Sequence, residues 1–170
     1  MSRRAPIRDE PRLAAQPSEE GLNVGQLMGR ARASLLTSLE AELERFGLNS
    51  TQLAVLKHLA EGVARTAADL CRINRYDTGA MTRILDRLEE KDLVRRERCR
   101  EDRRLVFLRL APAGRALLPR LMAVGTRVVD AHLAGFSASE IEALKGYLHR
   151  MIDNGQSQGD NQQSLSGRKP

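Results

Sequence analysis

Residues 95–104 read RRERCREDRR, and residues 105–110 continue as LVFLRL. Nine of the first ten residues are charged, six arginines against three acids, a local charge of +3. The second stretch alternates, with Val106, Leu108 and Leu110 on one face and Leu105, Phe107 and Arg109 on the other. Residues 93–96 supply another short extended piece just before the charged run. Together they predict a β-hairpin whose tip carries guanidinium groups.

Working backwards, the hairpin follows a run of helices. Asp77 is expected to cap a helix over TGAMTRILDRLEEK, with Met81, Ile84, Leu85 and Leu88 inward. Thr66 caps the shorter TAADLCRIN, and Asn74 suits its left-handed stop. Ser50 is the expected cap of a helix bearing Leu53, Leu56 and Leu59 and ending at Gly62. Before it, Val24, Leu27, Met28, Ala31, Leu35, Leu39, Leu43 and Phe46 draw one stripe, which Gly47 terminates. After the hairpin, Pro112 opens a fifth helix with Pro119 inside it. Ser137 and Glu140 are spaced as a capping box for a sixth. The expected fold class is mainly α with a small β-hairpin wing: a winged helix-turn-helix joined to a helical region, about six helices in all.

Composition narrows the function. The chain has 170 residues, a net charge of +6, 41% hydrophobic residues, 3% aromatics and no Trp. The charge is placed rather than spread, since residues 38–47 carry three Glu against one Arg. A basic face on such a fold points to a polyanion. No membrane span and no secretory signal are expected, so the compartment reads as cytoplasmic. Cys71 and Cys99 form no metal or redox spacing, and His58, His132 and His149 stand apart. No metal site, cofactor or catalytic grouping is expected, so the chain does not read as an enzyme.

In a helix-turn-helix the second helix enters the major groove by its N-terminal residues. Here that face shows Thr78, Gly79, Thr82 and Arg83, then Asp86 and Arg87. Thr82 can meet a base edge or a thymine methyl, and Arg83 can reach guanine or a phosphate. Arg75 and Tyr76 in the turn are candidates for backbone contacts. Asp86 opposes DNA unless it pairs with Arg83 or Arg87. At the wing, Arg100, Arg103 and Arg104 suit a narrow minor groove, and Asp102 can hold the Arg104 fork in one rotamer.

The run LDRLEEKDLVRRERCREDRRLVFLRLAPAGRALL, with Asp102-Arg103-Arg104 and Ala113-Gly114-Arg115, resembles the MarR family of bacterial transcriptional regulators. The likeness covers about residues 22–154. It implies a homodimer reading a palindromic operator on double-stranded DNA, Arg104 as minor-groove reader and Asp102 as its positioning partner. It further implies a repressor released by a small aromatic acid or phenol. Residues 22–49 and 112–154 would then form the dimerisation region, and 50–111 the DNA-binding lobe. Residues 1–21 read as a flexible arm and 155–170 as a disordered tail. Asp92 stands where the family commonly has Gly, and Ala111 where a capping Thr is common. The effector cleft is expected between the first helix, the second helix and the start of the fifth, near Leu27, Met28, Arg30, Arg32 and His58. An architectural DNA binder and a winged-helix protein-interaction module are the competing functions.

Overall fold

The computed structural model describes residues 22–98 and 105–166. The element order is α1 (Val24–Glu44), α2 (Ser50–Ala60), α3 (Ala67–Asn74), α4 (Thr78–Glu90), β1 (Val94–Arg98), β2 (Val106–Leu110), α5 (Pro112–His132) and α6 (Ala138–Ser166). Six helices and one antiparallel hairpin match the expected class. Val94 pairs with Leu110 and Arg98 with Val106. The wing tip, with Cys99, Arg100, Asp102, Arg103 and Arg104, lies outside the described residues.

Local chemistry sets most boundaries. Asn23 accepts from the Gln26 amide, and the Gln26 side chain returns the bond, a reciprocal cap. Thr66 and Asp69 do the same for α3, and Ser137 and Glu140 for α6. Asp69 accepts from the Arg65 and Thr66 amides, the Thr66 hydroxyl and Arg72, which hold its carboxyl below the ordinary carboxylate range, the Arg65 amide foremost. Gly47, at φ +62, ends the turn after α1, and Leu48 N–H returns to the Leu43 carbonyl. Ala111 is the N-cap of α5 without a side-chain bond, and Pro112 supplies the pre-set first turn.

Three expectations shift. The cap of α2 is Asn49, not Ser50: its side chain accepts from Gln52 N–H at 2.8 Å, and Gln52 bonds back. The left-handed residue after α3 is Arg75, at φ 54 and ψ 39, not Asn74. Asn74 stays helical because its Nδ2 donates to the Leu70 carbonyl at 3.0 Å. Finally, α6 continues to Ser166, into the stretch expected to be disordered. No proline interrupts residues 138–166, and extending a started helix costs far less than nucleating one.

One buried cluster joins Leu43 of α1, Val55 and Leu56 of α2, Leu70, Met81, Leu85 and Leu88 of α3 and α4, Leu108 of β2, and Leu121 and Val124 of α5. The hairpin is also tied behind, since Leu108 N–H donates to the Arg65 carbonyl at 2.8 Å. Asp92, in the position a glycine commonly fills, is left-handed at φ 53. A short polar side chain tolerates that conformation better than most. By contrast α6 lies off the core: between residues 138 and 157 only Ile141 is even half-buried.

Candidate nucleic-acid interface and the adjoining cleft

The face of α4 opposite Met81, Leu85 and Leu88 is open, and Thr78, Gly79, Thr82 and Arg83 are all exposed on it. Asp77 accepts from Ala80 N–H at 2.9 Å. That bond foremost, with Gly79 N–H and the nearby Arg83 charge, holds the Asp77 carboxyl below its ordinary value. The helix N-terminus, a possible phosphate site, is therefore already taken by this chain's own carboxylate. Gly79 leaves it room: a Cβ there would stand 3.2 Å from Asp77 Oδ1. The Thr82 hydroxyl donates to the Thr78 carbonyl at 2.8 Å. What it can show a base is a methyl group and an acceptor. Arg83→Ala is expected to weaken binding to a guanine-containing site by about 1–3 kcal/mol while sparing other sites. A uniform loss across sequences, with a shallower salt dependence, would instead mark Arg83 as a phosphate contact.

Asp86 pairs with neither Arg83 nor Arg87. Its partner is Arg96 on β1, at 2.7 Å, and the same guanidinium grips Glu89. Arg96 N–H also donates to Glu89 Oε1 at 3.2 Å. Partial burial works against the Arg96 charge, but the Asp86 and Glu89 carboxylates outweigh it and raise its pKa above the ordinary value. Two acids on α4 thereby share one guanidinium from the wing beside it, which offsets one of their two negative charges. On the outer face of the hairpin, Glu97 is shared between Arg95 at 2.8 Å and Arg109 at 2.9 Å.

A cleft of about 710 Å³ opens between α1, α2 and the C-terminal half of α5, where Met122 to Asp130 line it, not at the start of that helix as expected. Leu35, Leu36, Leu39, Leu53 and Val128 give it an apolar wall, and Arg32, Lys57, Thr51, Thr126 and Asp130 give it polar groups. Of the five residues expected there, Arg32 lines it. Leu27, Met28 and Arg30 lie on α1 before the first lining residue, and His58 lies just past Lys57, the last one on α2. Among the described residues, His58 Nδ1 is buried without a hydrogen-bond partner. The turn before α4 also enters the cleft, through Asn74 and Tyr76. Tyr76 turns toward α2, its hydroxyl 3.0 Å from Thr51 Oγ1. Lys57, at i+4 and i+3 from Leu53 and Ala54, was within reach of sequence reasoning; Tyr76 was read only as a backbone contact.

The family model described as "MarR family" matches residues 46–105, from the turn after α1 to the residue before β2. The wild-type apo structure of MarR from E. coli superposes with a TM-score of 0.69 at 25% identity, covering 77% of this chain and 98% of that one. The chain belongs to the MarR family. MarR-family relatives carry the likeness along the chain. The Bacillus subtilis transcriptional regulator MhqR is 25% identical over 134 residues, 79% of this chain and 92% of MhqR. The Pseudomonas putida transcriptional repressor NicR is 27% identical over 112 residues, 66% of this chain and 71% of NicR. This MarR-family chain is accordingly a transcriptional regulator with a winged helix, not an enzyme. Among the described residues no helix is long and apolar enough to cross a membrane, and no group of His, Cys, Asp and Glu could hold a metal ion.

Proposed function

We propose that this regulator is a homodimeric, sequence-specific repressor that leaves its operator when a small aromatic carboxylate or phenol enters the cleft. The observation that carries the reading is the α4–wing unit. An exposed helical face that starts with Thr78 and Gly79 and presents Arg83 is locked by Arg96 to a basic hairpin. Small residues allow close approach to base edges, and the clamp lets helix and wing address adjoining grooves as one body. Arg75, exposed in the turn, serves the DNA backbone, and Arg100, Arg103 and Arg104 with Asp102 serve the minor groove.

Dimerisation is supported by apolar surface that the protomer leaves open. Tyr147 is 61%, Ile152 55% and Met151 45% exposed on α6, and Val24 is 63% and Leu27 49% exposed on α1. Contiguous apolar faces of this kind mark protein contacts. Residues 22–49 and 112–154 would bury them against a second copy, leaving 50–111 as the DNA-binding lobe. A cleft of about 710 Å³ suits a small ligand, with Arg32 and Lys57 to receive an acid and leucines to hold a ring. The repressor named NicR supports the sign of regulation.

The test is salt-dependent binding to the DNA upstream of the protein's own gene against random DNA, with the mass of the free protein in solution. Binding as a dimer, ~10³-fold or more over random sequence, is the expected outcome. Equal affinity for both DNAs would make the protein architectural, and binding to neither would favour an acidic protein partner. Arg32→Ala is expected to weaken benzoate or salicylate binding about 10-fold by calorimetry, as for loss of a charged hydrogen bond. An unchanged affinity would place the acid elsewhere.

A further inference from the structure

The recognition helix is held at both ends, by bonds of different kinds. Its C-terminal half carries the ionic grip of Arg96 on Asp86 and Glu89. At its N-terminal end stands the turn Asn74-Arg75-Tyr76, followed by the N-cap Asp77. Most restraints on this turn are internal to α3 and α4. Asn74 Nδ2 donates to Leu70, Tyr76 N–H to Cys71, and Asp77 accepts from Ala80. Among the described residues, one hydrogen bond ties the turn to α2: the Tyr76 hydroxyl with Thr51 Oγ1, at 3.0 Å. Both partners of that bond line the cleft, and the Arg96 grip does not. The turn also contains a left-handed arginine, Arg75 at φ 54, a conformation that disfavours most side chains. Among the described residues, a single neutral hydrogen bond thus ties this turn to α2 within the cleft wall.

We infer that Tyr76 is the positioning residue through which the cleft sets the DNA-reading end of α4. The phenol–Thr51 bond keeps the turn in the arrangement described, with Thr78, Gly79, Thr82 and Arg83 presented together. A carboxylate or phenolate in the cleft competes for both hydroxyls, frees the turn and lets α4 pivot about its Arg96 anchor. Such a ligand shifts the equilibrium only by what it gains from the released arrangement, and the two hydroxyls supply that difference. The inference rests on the effector reading above, and it assigns Tyr76 to α2 rather than to a phosphate.

The experiment uses full-length protein and a DNA site selected by the wild type from a randomised pool. Affinity is measured without ligand for Tyr76→Phe, Thr51→Val, the double variant and Thr51→Ser. Each of the first two is expected to weaken binding roughly 3- to 10-fold, as for one hydrogen bond. The double variant should lose no more than either single one. Thr51→Ser, which keeps the hydroxyl, should bind like the wild type. Dimer mass, melting temperature and salt slope should stay unchanged in all four. Additive losses, or no loss, would overturn the tether. A loss in Tyr76→Phe with none in Thr51→Val would overturn it too, by making the Tyr76 hydroxyl a direct DNA contact. Salicylate is then added, and the wild type should release DNA more steeply than either single variant. Equal release from all three would overturn the coupling even with the tether established. If neither salicylate nor benzoate affects wild-type binding, the effector reading fails for these acids, and with it the coupling, while the ligand-free comparison still decides the tether.

Discussion

Gly114→Ala is expected to destabilise the protein by about 3 kcal/mol or more, the upper range for overpacking. Gly114 is buried in the first turn of α5. A Cβ there would lie 2.1 Å from the Leu93 carbonyl oxygen, 3.0 Å from its carbon and 3.2 Å from the Leu93 Cα. These are backbone atoms, so no side chain can swing aside. The same oxygen accepts from Ala111 N–H at 3.0 Å. Moving Leu93 away would break that bond and disturb the start of β1. Moving α5 away would draw Leu121 and Val124 out of the core. Urea unfolding should show a lower midpoint with an unchanged slope. Gly125→Ala, on the same helix, is the matched control: its Cβ would meet nothing within 4 Å. It should stabilise by roughly 0.5–1 kcal/mol through helix propensity. Similar stabilities for the two variants would show that α5 does not press on Leu93.

The second large effect concerns DNA. Arg96→Ala should lower affinity for the selected site at least about 10-fold, since it removes a charge-assisted anchor and uncovers two acids beside the DNA. Its cost in stability should be only about 1 kcal/mol, because the pair is partly exposed and Leu88, Leu93 and Val94 still join α4 to the wing. Arg96→Lys should fall between, as one ammonium cannot span Asp86 and Glu89 as the fork does. Gel-shift affinity against melting temperature separates the two effects. Should affinity fall only in step with stability, the clamp would be a fold contact and not an aiming device.

The caps show how far local chemistry could be read. Thr66, Asp77 and Ser137 were legible because a cap is settled within three residues. Asn49 and Ser50 are both good caps, and the choice between them fell to Gln52, which reciprocates with Asn49. Asn74 looked like the left-handed residue on type alone. Once its amide bonds to Leu70, that conformation passes to Arg75. The Asp86 pairing was misassigned because Arg83 and Arg87 are its neighbours along the helix. Arg96, ten residues away, comes within 2.7 Å only when the hairpin folds back.

The order of helices, the wing and its place after a helix-turn-helix follow from periodicity and capping, which act over spans of a turn or two. The sequence by itself therefore determined the architecture and which face of α4 stays open to solvent. Contacts between distant segments were decided by the tertiary structure alone. Packing chose Arg96 for Asp86, brought Tyr76 to Thr51 across 25 positions, and began the α1 side of the cleft at Arg32 rather than at Leu27 or Met28. It also made Gly114 irreplaceable, because the Leu93 carbonyl occupies the space a side chain would need. Each of these depends on where two elements cross, and a crossing point is set by the whole core rather than by either segment's own pattern.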